Sequence, residues 1–254
     1  MARKKKPPLV RRILRAVLLL ALVAVVLDVA YLAWHWPDWG RFARGPVPKS
    51  AFMTAYETKR AADPRLPPLR WQPVAYAQFP KHLVRAVTIA EDARFFEHAG
   101  LDIEAIQEAF DYNLEQGRFA RGASTISQQT AKNLFLSPSR NPLRKWHELV
   151  LTWALESHLG KTRILELYLN TVELGRGVYG VEAAAQTYYA KPVSAITPRE
   201  AAELAATLPS PVQSNPATRS RFFLKHAATV ESRLNRALGI NGATETDGWF
   251  NFGR

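Results

Sequence analysis

From Ile13 to Trp36 apolar residues follow one another almost without a break, and from Ala16 to Leu27 twelve positions in a row are apolar. A helix over those 24 residues would be about 36 Å long, enough to cross a hydrocarbon core of about 30 Å. Arg15 sits where its head can reach lipid headgroups, whereas Asp28 lies deeper and must find water, a partner or the outer interface. Trp34, Trp36 and Trp39 follow as an interfacial belt. Beyond the belt the pattern changes. Pro46, Pro48, Pro64, Pro67 and Pro68 mark a connector over 37–65, with one short helical piece around Ala51 to Ala62. After Pro80 the apolar positions recur at three and four. Leu83, Ala86, Val87 and Ala90 predict a helix from Lys81 to about Phe95. A second is predicted over Asp102 to Glu115, with Ile103, Ile106, Ala109 and Phe110 inward, and others over Thr125 to about Leu134, Leu143 to Leu159, Thr162 to Val172 and Val178 to Tyr189. Thr197, Pro198 and Glu200 form a capping box with proline at the first helical position. Asn215 and Pro216 open a last helix that ends before Gly239, with Phe222, Phe223, Ala227, Val230, Leu234 and Leu238 inside. Strand alternation is scarce and short, so the chain is read as mainly α, and a doubly wound α/β fold is disfavoured.

Charge orients the anchor. Arg3, Lys4, Lys5, Lys6, Arg11, Arg12 and Arg15 precede or open the apolar run with no acid among them. The positive-inside rule therefore puts a basic tail, 1–12, in the cytoplasm, the anchor over 13–36, and everything after it outside. A cleaved signal peptide is the competing reading, but the best late cut, after Ala33, would place bulky Tyr31 three residues before it. Half of the formal net charge of +12 belongs to the anchor region; residues 37–254 carry +6. A basic domain beside a membrane suits anionic lipids and phosphates, and export removes nucleic acid as a partner. The 254 residues contain no cysteine, which excludes a disulfide scaffold and a thiolate metal site. The main domain is placed at 66–238, followed by a polar tail, 239–254, whose Trp249, Phe250 and Phe252 could pack back or touch lipid.

Three groups of residues could carry chemistry. Glu91 and Asp92 fall at the end of the Pro80 helix, where the helix dipole disfavours negative charge, and Phe95 and Phe96 add desolvation. Both effects raise a carboxyl pKa toward that of a general base. The plainer reading is a carboxylate capping nearby amides or pairing with Arg94. Glu148 follows Arg144 by four residues with Lys145 beside it, and Lys132 and Arg140 lie within the same short stretch. This is either a solvated basic face with an ordinary ion pair or a cationic group able to meet a diphosphate. Gly122 to Gln129 place small residues, hydroxyls and two amides at a helix start. Its backbone N–H groups could receive an anionic or carbonyl oxygen, or Ser124 and Thr125 could simply cap it.

At these residues a family resemblance appears. Glu91-Asp92-Ala93-Arg94-Phe95-Phe96-Glu97-His98-Ala99-Gly100 resembles the first motif of the peptidoglycan glycosyltransferases, and Arg121 to Asn133, RGASTISQQTAKN, resembles the second. Arg144-Lys145-Trp146-His147-Glu148 is similar to the third, Lys161 to Asn170 to the fourth and Gly180 to Tyr189 to the fifth. Five ordered motifs over about one hundred residues are highly specific. The likeness covers Leu66 to Pro211, and Tyr189 stands where phenylalanine is common. Neither Ser-x-x-Lys nor Lys-Thr-Gly occurs, so a penicillin-reactive transpeptidase domain is absent.

The resemblance implies a lysozyme-like, two-lobed helical domain behind one N-terminal transmembrane helix, held at the bacterial inner membrane with its catalytic part in the periplasm. It implies that lipid II and the growing lipid-linked glycan are the substrates, and that cell-wall synthesis or division proteins are partners. Glu91 becomes the general base for an inverting transfer that releases polyprenyl diphosphate. Lys132 and Arg140 meet the donor diphosphate. Glu148 holds the leaving group directly or through a divalent cation, Mg or Mn; no covalently bound cofactor is implied. Asp92, Ser124, Thr125, Gln129, Arg144 and Lys145 line the substrate site, and Asn133 and Asn170 are structural. Gln116 to Gly122 matches a mobile loop between donor and acceptor sites. Phe110, Phe119, Leu134, Phe135 and Leu136 are candidates to dip into the bilayer, with core packing the alternative for Leu134 and Phe135. A hydrolase on a similar helical frame is the rival, but it has no diphosphate to hold and so no use for the cations.

Overall fold

The computed structural model describes residues 9–118, 122–139 and 142–240. The chain divides at Asp38 into two units. The first contains α1 (Leu9–Trp34), 26 residues long, with no buried residue along it. At 1.5 Å per residue it spans about 39 Å. Helix is already present at Leu9, the first described residue and four before the apolar run, because Val10, Arg11 and Arg12 are compatible with helix.

The second unit is mainly α, as the periodicity predicts. It opens with α2 (Trp39–Arg44), which is pinned to the domain from two sides. Trp39 is buried, stacks on His158 at 5.3 Å and meets Phe135 edge-on at 5.5 Å. Arg163 donates to the carbonyls of Phe42 and Gly45 at 2.8 and 2.6 Å. Next comes α3 (Ala51–Ala62), in the place read from the sequence and capped by Ser50.

The remaining helices fall into two packed groups. In one, α6 (Ile126–Phe135) packs against α7 (Pro142–His158) and α8 (Lys161–Thr171). In the other, α4 (Lys81–Glu91) packs against α10 (Pro198–Thr207) and α11 (Arg221–Ala237). Burial explains the order of the layers. From Ile164 to Thr171 α8 is buried at every position but Glu166, and α10 is buried from Ala201 to Thr207, so both run through the interior. The alanines of α10 leave room for close approach of α4 and α11. A small sheet of order β1-β3-β2 joins the groups: β1 (Arg70–Trp71) runs parallel to β3 (Val178–Tyr179), and β2 (Glu173–Gly175) antiparallel to it. Asn170 crosses between segments, accepting from Val74 N–H at 2.8 Å and donating to the Val74 carbonyl at 2.9 Å. This is the structural part expected of it, and a buried amide needs such partners.

Several expectations are corrected, and Trp39 is one of them, a core residue of the domain and not part of an interfacial belt. The helix ending at about Phe95 stops at Glu91, because Asp92 turns away with φ −163° and its side chain is drawn into other bonds. On α5 (Ile103–Glu115) Ala109 is buried, but Ile103, Ile106 and Phe110 face outward, with Phe110 65% and Leu114 71% exposed. The segment from Val178 starts as strand β3, and α9 (Val181–Tyr189) begins only after Gly180, whose φ is +80°. A Cβ there would stand 2.7 Å from the Asn170 carbonyl oxygen. Asn215 does not open the last helix. Its side chain accepts from the N–H groups of Ala217 and Thr218 and closes a turn, and Ser220 caps α11 instead. On α11 Phe222 and Leu238 are exposed, while Phe223, Ala227, Val230 and Leu234 are buried. The capping box at Thr197 and Glu200 forms as read. Leu134 is buried and Phe135 packs on Trp39 and Phe42, so both belong to the core. Phe119 and the aromatic residues of the tail lie outside the described residues.

Candidate active site

Glu91 is the last residue of α4, where the outward-pointing carbonyls of a helix end make a carboxylate unwelcome. Its side chain is half-buried, and Gln129 on α6 donates to its Oε2 at 2.6 Å. Burial is the main force raising its pKa above the ordinary 4.5. The Gln129 bond and Lys132 pull the other way, and Asp92 adds to the rise. Helix periodicity puts Gln129 and Lys132 on one face of α6, three residues apart, where Gln129 bonds Glu91 and Lys132 acts on it through charge.

Lys132 is also drawn out of water, and burial lowers the pKa of its ammonium. Glu148 and Glu91 oppose that shift, while Arg144 and Lys145 add to it. Thus Lys132 is electrostatically coupled to both acids. Glu148, on α7, is only 3% exposed, which excludes the solvated-face reading for the acid itself. It accepts from Lys145 Nζ at 2.5 Å and from Arg144 Nη1 at 3.5 Å. A buried carboxylate with two cations on it holds those cations in place. The result is a chain of alternating charge, from Glu91 through Lys132 and Glu148 to Arg144 and Lys145. Arg140 lies outside the described residues.

Asp92 serves a different purpose. It is buried, accepting from His98 Nε2 at 2.9 Å and from the Ile126 N–H at 2.9 Å. Both oxygens are therefore engaged in tying the end of α4 to the start of α6. Thr125 has its own duties as well. It forms a capping box with Gln128, and its hydroxyl donates to the Gly100 carbonyl at 2.6 Å. Two of the N–H groups expected to be open at the start of α6 are consequently taken, Ile126 by Asp92 and Gln128 by Thr125. Ser124 is exposed just before this cap. Arg94, offered as a partner for the acidic pair, binds Asp102 at 2.7 Å and also Glu104. Gly100, with φ +95°, seats this loop against Thr152 and Glu156 of α7.

Sequence reasoning missed two neighbours of the site. His98 carries the Asp92 tie, and its sequence signal was only its place in the first motif. Tyr168 on α8 is fully buried and donates to Gln129 Oε1 at 3.3 Å. A tyrosine inside an apolar helix looks like core, so nothing in the spacing marked it.

A half-buried carboxylate beside a run of cations, on a helical frame of the lysozyme-like kind, suits an enzyme of glycosyl transfer. The comparisons with known proteins agree. The family model described as Transglycosylase matches residues 65–237. The biosynthetic peptidoglycan transglycosylase of Methylobacillus flagellatus is 44% identical over 220 residues, 87% of this chain and 95% of that protein. The proteins of the same name from Thiobacillus denitrificans and Nitrosomonas eutropha are 41% and 40% identical, over 82% and 91% of this chain and 90% and 94% of theirs. The chain belongs to the transglycosylase family, and it is a peptidoglycan transglycosylase.

Proposed function

We propose that the chain polymerises lipid II into β-1,4-linked glycan strands, with Glu91 as general base. Support comes above all from one observation: Glu91 shares a single electrostatic neighbourhood with Lys132, and through it with Glu148, Arg144 and Lys145. The acceptor sugar's 4-hydroxyl oxygen attacks the anomeric carbon of the donor, and its proton passes to Glu91. The bond from that carbon to the diphosphate oxygen breaks, polyprenyl diphosphate leaves, and an α-linked donor becomes a β linkage. The raised pKa of Glu91 suits a base working near neutrality. Diphosphate is a good leaving group once its charge is met, so the site needs cations where a glycosidase needs a protonating acid. Lys132, Arg144 and Lys145 fit that part, and Arg140 joins them by resemblance. Gln129 orients the base. Ser124 is free to face the sugar, whereas Asp92 and Thr125 support the site from behind.

A divalent cation is not well matched to the side chains. Glu148 already carries Lys145 and Arg144 on its two oxygens. Asp92, His98 and Asp102 have ligand atoms within 4.8 Å of one another, but Asp92 is already bonded to His98 and the Ile126 N–H, and Asp102 to Arg94 and the Ala105 N–H. No step is assigned to a metal.

Among the described residues one helix, α1, is long and apolar enough to anchor the chain in the inner membrane, with its basic end in the cytoplasm and the enzyme domain in the periplasm. The outward apolar side chains of α5, Phe110 and Leu114 among them, suit contact with lipid. Recruitment by cell-wall synthesis or division proteins fits such a placement. The test is direct: purified full-length protein given labelled lipid II should produce a ladder of lengthening strands on a gel. Shortening of preformed strands without growth from lipid II would overturn the proposal.

A further inference from the structure

The contact between Glu91 and Gln129 depends on which end of the amide faces the carboxylate. An ionised carboxylate only accepts hydrogen bonds, so Gln129 must present its NH2. Its carbonyl then points the other way, and the group that meets it is the hydroxyl of Tyr168, 3.3 Å away. Tyr168 is fully buried on α8. Turned over, the same amide would offer its carbonyl to Glu91, favouring the protonated acid by accepting a hydrogen bond from its O–H.

We propose that Tyr168 is a positioning residue that locks Gln129 with its NH2 toward Glu91, holding the proposed base in its proton-accepting form. This rests on the reading of Glu91 as general base. A phenol suits the task because burial, with Glu91 and Asp92 nearby, keeps it protonated far above the usual tyrosine range. It stays protonated at every pH at which the enzyme would work, and although its oxygen could accept from a turned amide, its buried O–H has no other acceptor among the described residues and would be left unpaired by the turn. The lock also outlasts the proton transfer. Once Glu91 has taken the proton, a fixed NH2 gives no extra hold on the protonated acid, so the proton can leave before the next cycle.

The other groups facing Glu91 do not set the amide's direction. Asp92 is adjacent in the chain and is bonded to His98 and the Ile126 N–H. Lys132 acts on Glu91 through charge, and Glu148, Arg144 and Lys145 act in turn on Lys132. Of the elements packed along α4, α10 carries one buried acid, Glu203, which is bonded to Tyr189 and paired with Arg199. The buried residues of α11 are apolar.

The experiment uses Tyr168→Phe in the full-length protein, which keeps the buried ring and removes only the hydroxyl. Polymerisation of labelled lipid II is followed from pH 5 to 9, with Glu91→Gln as control. The expected result is an upward move of the acid limb by about one pH unit, equivalent to about a tenfold rate loss below the limb. KM for lipid II should stay near the wild-type value. In a Gln129→Ala background the same substitution should give no further shift, because Tyr168 acts through that amide. An unmoved acid limb with a lowered Tm makes Tyr168 a packing residue and overturns the proposal, as does an additive shift without Gln129. An active Glu91→Gln enzyme would instead overturn the general-base reading itself.

Discussion

Replacing Lys132 by methionine removes one positive charge from between Glu91 and Glu148 while keeping an unbranched apolar side chain of similar length on α6. In water a unit charge about 4 Å from a diphosphate oxygen is worth about 1 kcal/mol, and at an effective dielectric of about 20 it is worth about 4 kcal/mol. Lys132 is partly withdrawn from solvent, enough for burial to depress its pKa, so the larger figure is the better guide. Arg144 and Lys145, held on Glu148, share the same leaving group and reduce the loss. A deficit of about 3 kcal/mol in transition-state stabilisation remains, close to the loss of one preorganised donor elsewhere, or about a hundredfold in kcat. The same change removes a cation that favours ionised Glu91, so the acid limb of the rate profile should also move to higher pH. Initial rates of strand growth from labelled lipid II, measured from pH 5 to 9 for wild type, Lys132→Met and Lys132→Arg, give both quantities. A methionine variant with wild-type kcat and an unmoved acid limb would refute the placement of the cationic group. An arginine variant should recover part of the rate, since it restores the charge.

The wild-type rate profile should be a narrow bell. Glu91 must be ionised above a pKa raised from 4.5 and Lys132 protonated below one lowered from 10.5, so both limbs close inward, as initial rates against pH would show. Because the folded state raises the Glu91 pKa, ionising it costs stability above 4.5. Glu91→Gln should therefore have a higher Tm than wild type at pH 7, the difference closing as pH falls below 4.5; an equal or lower Tm at pH 7 would contradict the desolvation account. Gly180→Ala would force a Cβ to 2.7 Å from the Asn170 carbonyl at a φ of +80° and should destabilise by about 1–3 kcal/mol in chemical unfolding, whereas no loss would show that the turn can relax.

Local signals in the sequence carried over well where one piece of physics was decisive. The apolar run found α1, the Thr197 capping box found α10, and the proline spacing left room for α3 where it forms. They failed where tertiary context outweighed propensity. Ile103, Ile106 and Phe110 have the spacing of an inward face, yet α5 turns that face out. Asn215 and Pro216 look like a helix start, but the Asn215 side chain closes its own turn first. At the site, Glu91, Gln129, Lys132, Glu148, Arg144 and Lys145 were legible through the family motifs and are brought together. The internal duties of Asp92 and Thr125 were not, because a partner 34 residues away, as Ile126 is from Asp92, leaves no trace in local spacing.

Strand growth by Glu91→Gln, assayed beside a direct binding measurement, tests the central claim most closely. Glutamine keeps the size and hydrogen-bonding reach of the side chain but cannot take a proton near neutrality. The variant should bind labelled lipid II with near wild-type affinity and make no polymer. A ladder of strands at the wild-type rate would mean that another group receives the acceptor proton.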